Sequence, residues 1–332
     1  MNKILLVDVD SKIPNLALMK LSTYYKNLGY NIILNRLSLT YYPNKNKERI
    51  IDGKGFEKVF VSTIYRINKN KIKVINCNEV QFGGVGHELT KKLPKEIDDL
   101  DEDYSIYPEN DKSYGFITRG CIRNCYFCVV PKKEGKIYKY RNIDQIVKHK
   151  EVILMDNNIL AFKNHKKILK ELIDKKIRCQ FNQGLDIRLI DDENAELLSK
   201  LRYIGNYIFA FDDLRLEKII EEKLKILKKY IKSDWRIKMF LYCHPRMQLK
   251  DIVYRVNWCK RNRVLPYLMR DELCWSSEFH NFYTDLTSWC NQPGLFKNMT
   301  FNQFMQKRTN NLSRRNKSIG LYNKYEQNKN RN

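Results

Sequence analysis

Gly115-Phe116-Ile117-Thr118-Arg119-Gly120-Cys121-Ile122-Arg123-Asn124-Cys125-Tyr126-Phe127-Cys128-Val129-Val130-Pro131 reads as a strand that runs into a glycine turn, followed by three thiols within eight residues. Cys121, Cys125 and Cys128 stand at CxxxCxxC spacing. Three thiolates this close repel one another. Their joint ionisation therefore calls for a soft cation, and zinc or an iron–sulfur cluster is the natural occupant. A structural zinc site closes four ligands, usually as two paired half-sites. Here no second CxxC follows, and no His lies near enough in sequence to name as the fourth ligand. Three thiolates leave one coordination position open.

Outward from this stretch, short apolar runs alternate with helical spacing. Residues 114–118, 152–155, 179–183, 207–211, 239–242 and 264–268 are strand candidates, with helices expected over 166–173, 193–201 and 217–231. Six such repeats predict a full or partial β/α barrel, whose ligand groups sit at the C-terminal strand ends. Polar residues stand there: Asp156, Asn157, Asn158, Asn182, Gln183, Asp212, Asp213 and His244. Before the cysteines, apolar runs at 4–9, 31–34, 58–62 and 71–75, with a helix opened by Pro14 and Asn15 and closed by Gly29, predict a small parallel-sheet α/β unit. The fold class is thus α/β: a Rossmann-like domain over 1–95, an acidic linker over 96–112, a partial (β/α)6 barrel over 113–292 and a basic polar tail over 293–332. Periodicity is lost past Leu312, so the end of the tail reads as mobile or partner-dependent.

The cysteine segment resembles the radical S-adenosylmethionine superfamily, whose motif is CxxxCxxC with an aromatic residue before the last cysteine; Phe127 holds that place. The resemblance covers about residues 111–285. It implies that Cys121, Cys125 and Cys128 ligate three irons of a [4Fe–4S] cluster and that the fourth iron chelates S-adenosylmethionine. It further implies reductive cleavage to methionine and a 5′-deoxyadenosyl radical, hydrogen abstraction from a substrate, and a reductant such as flavodoxin or ferredoxin. By the same resemblance Phe127 lies against the adenine region. Asp156-Asn157-Asn158 takes the place of the usual Gly-Gly-Glu for the methionyl amine. Gln183, Asp186 and Asp212 are ribose or substrate candidates from strand-end position, and His244 is a candidate for proton transfer.

Two subfamilies are similar in architecture. Methylthiotransferases carry a second cluster on three N-terminal cysteines, whereas this chain has only Cys77 before the motif. Cobalamin-binding relatives are similar in their Rossmann-like unit and in Gly83-Gly84, but their DxHxxG is absent, since the first strand ends Asp8-Val9-Asp10-Ser11-Lys12. Cobalamin stays open, and a tight turn is the expectation for the glycine pair. Cys243, Cys259, Cys274 and Cys290 recur every 15 or 16 residues without any CxxC, and buried packing is the expectation for them.

The 62 basic and 38 acidic side chains are unevenly spread. Residues 1–110 carry a net charge of +3 and residues 111–332 one of +21. A one-sided positive field suits RNA or another polyanion, and the segment 132–141 interleaves bases with aromatics. Nine cysteines, no leader pattern and no apolar run near 18 residues predict a cytoplasmic protein without a membrane span. The reading is an enzyme of the radical class, acting on an unidentified substrate. A cobalamin-dependent methyltransferase and an RNA-modifying enzyme are its variants. The alternative is a zinc-binding, non-enzymatic nucleic-acid-binding protein.

Overall fold

The computed structural model describes residues 2–39 and 48–326. The chain divides into two compact units, Met1–Val152 and Ile153–Asn332. Among the described residues no helix is long and apolar enough to cross a membrane.

The first unit begins with β1 (Lys3–Val9), α1 (Leu16–Asn27), β2 (Asn31–Leu37), β3 (Arg49–Asp52), β4 (Lys58–Thr63), β5 (Ile72–Ile75) and β6 (Glu79–Gly83). Its main sheet has the order β2-β1-β4-β6 with every pair parallel. Both faces are covered, which is why β1 reads as an unbroken apolar run. Ile4, Leu6 and Phe60 pack with Leu18 and Leu21 of α1. Leu5, Val7, Val9, Val59 and Val61 pack with Ile51 and Ile72, from the parallel pair β3–β5. The Asn15 side chain caps α1 by accepting from the Leu18 N–H at 3.3 Å. Gly84, at φ +87°, turns against the end of β4, where a Cβ would lie 2.7 Å from the Thr63 nitrogen. Close backbone approach accounts for Gly84, while a Cβ at Gly83 would meet nothing within 4 Å, and the pair gives cobalamin no support.

The acidic run folds back on this unit. It forms α2 (Lys95–Asp98) and a 3₁₀ turn over Tyr104–Ile106. Lys20, buried on α1, donates to the Asp98 carboxylate at 2.8 Å and to the Tyr140 hydroxyl at 2.7 Å. Tyr140 in turn donates to Asp98 at 2.8 Å, and Arg141 pairs with Glu102 at 3.3 Å. Arg141 also donates to the carbonyls of Asp98 and Leu100 at 2.9 and 2.5 Å. The polyanion track expected over 132–141 therefore loses Tyr140 and Arg141 to this network. Next come β7 (Lys112–Gly115), β8 (Thr118–Arg119), α3 (Val130–Lys133), β9 (Tyr138–Lys139), α4 (Ile143–Ile146) and β10 (Glu151–Leu154), within which the division into units falls.

The second unit continues the strand–helix rhythm: α5 (His165–Asp174), β11 (Arg178–Phe181), α6 (Asp192–Lys200), β12 (Arg202–Tyr203), β13 (Tyr207–Ala210), α7 (Glu217–Tyr230), β14 (Ile237–Cys243), α8 (Leu249–Arg261) and β15 (Leu265–Arg270). The strands lie in two sheets, with β10, β11 and β12 in that order in one and β13, β14 and β15 in the other. A backbone bond from the Leu185 N–H to the Ile208 carbonyl, 2.8 Å, ties the exit of β11 to β13.

Beyond β15 the expectation of an irregular tail is corrected. Helices α9 (His280–Cys290), α10 (Pro293–Asn298), α11 (Phe301–Arg308) and α12 (Leu312–Glu326) close the unit. Trp289, Phe296, Phe301 and Tyr322 form one aromatic cluster, with ring centroids 5.0 Å apart for Trp289–Phe296 and 4.6 Å for Phe301–Tyr322. The fully buried Asp285 accepts from Arg308 Nε at 2.8 Å, Arg314 Nε at 3.1 Å and Ser318 Oγ at 2.9 Å. Basic residues that read as a solvated tail are thus anchors for two helices. Cys243, Cys259, Cys274 and Cys290 are all buried. Burial holds the Cys290 thiol up, at about 12, and pushes Cys259 up as well. Cys259 and Cys290 are packing thiols, kept protonated.

Candidate cluster and cofactor site

The three motif cysteines lie on one loop between β8 and β9, an antiparallel pair that matches Thr118 with Lys139 and Arg119 with Tyr138. Gly120 starts the loop at φ +85°, where a Cβ would stand 2.6 Å from the Lys136 carbonyl carbon and 2.8 Å from the Gly135 oxygen. Only glycine fits so close to the opposite strand. The Cys121 N–H donates to the Gly135 carbonyl at 3.1 Å, and the Cys128 N–H to the Cys125 carbonyl at 2.9 Å. The Arg123 N–H donates to Cys121 Sγ at 3.3 Å. All three thiols are half-buried and free of disulfides.

The loop then enters α3 with Pro131 in its first turn. Phe127 is half-buried, edge-on to Tyr126 at 5.2 Å. Arg119 is clamped at the base of the loop, 4.4 Å from the Tyr140 ring and 4.5 Å from Phe116. The buried network around Lys20 and Asp98 therefore anchors β9, and through it the loop.

The donor set fits an iron–sulfur cluster. Among the described residues, no three His, Cys, Asp or Glu side chains are gathered on a single metal ion. Thiolates that share a cubane each bind a different iron, so they need not converge on one point. Soft thiolates on a short, partly exposed loop are the ligand chemistry that such a cluster takes.

In the second unit the predicted strand-end residues do gather. Asp156 and Asn158 follow β10 and are buried, 1% and 4% exposed, while Asn157 is half-buried. Asn158 Nδ2 lies 3.4 Å from Asp186 Oδ2. Asp186 caps the 3₁₀ turn Ile187–Leu189 and holds Arg188 in a fork, 2.6 Å to Nε and 3.0 Å to the terminal nitrogen. Asp212, at the end of β13, accepts from the Tyr242 N–H at 2.7 Å. Burial pushes its carboxyl above the ordinary 3.8, against the lowering influence of that N–H and of Arg255 and Arg188. Gln183 is exposed beyond β11.

His244 lies beyond β14. Its Nδ1 accepts from the Arg246 N–H at 3.0 Å, so in the neutral ring Nε2 carries the proton. That nitrogen faces Asp271 Oδ1 at 3.9 Å, and the Tyr242 hydroxyl donates to Asp271 Oδ2 at 2.7 Å.

Four residues here were missed from sequence: Arg188, Arg255, Tyr242 and Asp271. Arg255 left a signal, because it sits on the apolar face of α8 among Ile252, Val253, Val256 and Cys259. A lone charge in such a stripe must find buried partners. It donates to the carbonyls of Phe211 and Tyr242, both at 2.9 Å. Asp271 left none, since its partners come from another strand.

No family model matches the chain. Among curated proteins, it is 25% identical over 245 residues to a protein of Methanocaldococcus jannaschii provisionally assigned as a methylthiotransferase, covering 60% of this chain and 49% of that one. It is 29% identical over 150 residues to the ribosomal protein uS12 methylthiotransferase RimO of Petrotoga mobilis, covering 40% of this chain and 33% of that one. Methylthiotransferases are radical S-adenosylmethionine proteins with an N-terminal domain ahead of the cluster motif. Through these relatives the chain is similar to the radical S-adenosylmethionine superfamily. It spans half or less of the length of these curated relatives. Proteins of the relatives' kind use iron–sulfur clusters and S-adenosylmethionine.

Proposed function

We propose that this chain is an enzyme in which Cys121, Cys125 and Cys128 hold a [4Fe–4S] cluster and a second set of residues holds S-adenosylmethionine. When bound, the cluster supplies the electron for reductive cleavage of S-adenosylmethionine and, through it, hydrogen abstraction from a substrate. The observation that carries this reading is the loop itself: three thiols outside any disulfide on eight residues, fixed at one end by a glycine that tolerates no side chain. A one-electron donor protein such as flavodoxin or ferredoxin reduces the cluster. Residues 113–292 act as a partial barrel, with 1–95 as an accessory Rossmann-like domain joined through 96–112 and with 293–332 as a basic C-terminal part.

The protein's own residues bind and orient. Asp156, Asn157 and Asn158 take the methionyl amine, and Phe127 flanks the adenine. Asp212 and the Asp186–Arg188 fork take ribose or substrate hydroxyls, and Gln183 serves at the rim. Arg255 fixes the carbonyls beside Asp212 and so acts as a positioning residue. His244, held in one tautomer by the Arg246 N–H and backed by Asp271, moves a proton at Nε2.

Sulfur insertion of the kind named for the relatives is not the favoured outcome. Before the motif the chain has a single cysteine, Cys77. Its Sγ lies 3.4 Å from the Glu79 carbonyl and 3.6 Å from that of Phe56, with no second thiol to share a cluster. A basic C-terminal part supports RNA or another polyanion as substrate. The test is product analysis. Reconstituted enzyme reduced with dithionite should release 5′-deoxyadenosine from S-adenosylmethionine, and Cys125→Ala should release none. Zinc in place of iron, with no nucleoside product, would overturn the reading.

A further inference from the structure

A cavity of about 310 Å³ opens beyond the end of β14, between the loop that follows His244 and helices α9 and α12. Its wall includes Met247, Gln248, Lys250, Phe279, Tyr283 and Tyr325. Tyr283 is 1% exposed, and its hydroxyl has no hydrogen-bond partner. Tyr325 is brought to the cavity by α12, which is pinned one turn earlier by the buried Tyr322 donating to Asn257 Oδ1 at 2.5 Å.

We propose that this cavity holds one unpaired nucleotide of a nucleic-acid strand, its base against Phe279 and Tyr325 and its phosphate on Lys250. This goes beyond the radical reading, and it concerns a pocket that lies wholly in the unit without the three cysteines.

Three observations select a nucleotide. The wall offers flat aromatic faces, on which any base stacks. It also includes Gln248, whose amide a purely apolar ligand would leave unpaired and a base edge can satisfy. Its one charged member is Lys250, and no carboxylate lines it among the described residues. Arg246 adjoins the wall, and the Lys324 ammonium lies 5.5 Å from the Tyr325 ring. Glu278 and Glu326 flank the wall in sequence, yet the net charge of residues 153–332 is +15. An anionic strand is drawn to this unit, and a single flipped or unpaired base is what 310 Å³ accommodates.

The test uses the full chain with its cluster loaded, iron being measured in every sample. Fluorescein-labelled 12-nucleotide RNA and DNA single strands, and the RNA duplex of the same sequence, are titrated by anisotropy at several salt concentrations. Phe279→Ala and Tyr325→Ala are each expected to weaken single-strand binding about tenfold. Lys250→Ala should lower the salt slope by roughly 0.7. Lys167→Ala, on a separate helix, removes the same charge and should change the affinity far less than Lys250→Ala does. RNA and DNA strands bound equally would assign the shared base-and-phosphate chemistry, and RNA preference would add contact with the 2′-hydroxyl. Wild-type affinity in both aromatic variants, equal losses in Lys250→Ala and Lys167→Ala, or tighter binding of the duplex would each overturn the proposal.

Discussion

Replacing Gly120 with alanine tests whether the cluster loop is held as described. The residue stands at φ +85°, a conformation that costs an L-residue roughly 1–2 kcal/mol. The new Cβ would also overlap the Lys136 carbonyl and lie 2.8 Å from the Gly135 oxygen. Backbone cannot swing aside as a side chain can, so the β8/β9 pair must open. That loses the Cys121 N–H bond to Gly135 at 3.1 Å, worth about 1 kcal/mol. The overlap itself adds about 1 kcal/mol or more, so that with the lower entropy of the unfolded chain set against the strain, the sum is about 3 kcal/mol.

Gly135→Ala is the control. Its φ is +75°, but a Cβ there meets nothing within 4 Å. Its strain is partly offset by the lower entropy of the unfolded chain, leaving a cost of about 1 kcal/mol. At ~2–4 °C per kcal/mol for a unit of this size, melting should fall by about 6–12 °C for Gly120→Ala and by about 2–4 °C for Gly135→Ala. Iron bound after reconstitution should drop sharply in the first and little in the second. Equal melting shifts and equal iron contents would refute the argument that this glycine is required by contact with the facing strand.

Other outcomes follow from the same physical reasoning. Asp98 is held below its ordinary 3.8: burial pushes it up, but the Lys20 hydrogen bond and charge, the Tyr140 hydroxyl and Arg119 outweigh that. A depressed folded value means its stabilisation is complete above the unfolded value and is lost as pH falls through the folded one. Asp98→Asn should therefore lower stability at pH 6 and lessen the further loss between pH 4 and pH 2.5, as read by urea unfolding. Asp285→Asn leaves Arg308 and Arg314 without their buried carboxylate, whereas those guanidiniums are themselves 28% and 29% exposed. A loss near the lower end of the range for broken buried pairs, about 3 kcal/mol, is expected. Trypsin should then cut within 301–326 many times faster than in the wild type. Removing 312–332 should destabilise the second unit, because α12 contributes the buried Ser318 and Tyr322. Simple loss of a mobile tail would leave its melting unchanged. Cys77→Ser should bind as much iron as the wild type, in contrast to each of the three motif variants.

The parallel α/β character was legible because strands buried on both faces must be continuously apolar, and 4–9 is such a run. Element bounds in the second unit followed from helical spacing, as with 166–173 against the observed His165–Asp174. The thiol loop was legible in full, since its chemistry lies within eight consecutive residues. What escaped was set by pairs distant in sequence. Asp285 reaches 29 residues to Arg314, and Lys20 reaches 120 to Tyr140. Such pairs turn a charged stretch into a packed one without leaving any apolar period. The acidic run at 96–103 and the basic run after 297 were misread as solvated for that one reason. Asp271, set behind His244 by the pairing of β14 with β15, was likewise invisible until the register was known.

The central claim, that Cys121, Cys125 and Cys128 hold a redox-active cluster which binds S-adenosylmethionine, is tested most directly by electron paramagnetic resonance. Anaerobically reconstituted protein would be reduced and measured with and without the nucleoside. A [4Fe–4S] signal that changes shape on adding S-adenosylmethionine, and that is missing from Cys121→Ala, is the predicted result. Stoichiometric zinc with no cluster signal, or a cluster signal that persists in Cys121→Ala, would contradict it.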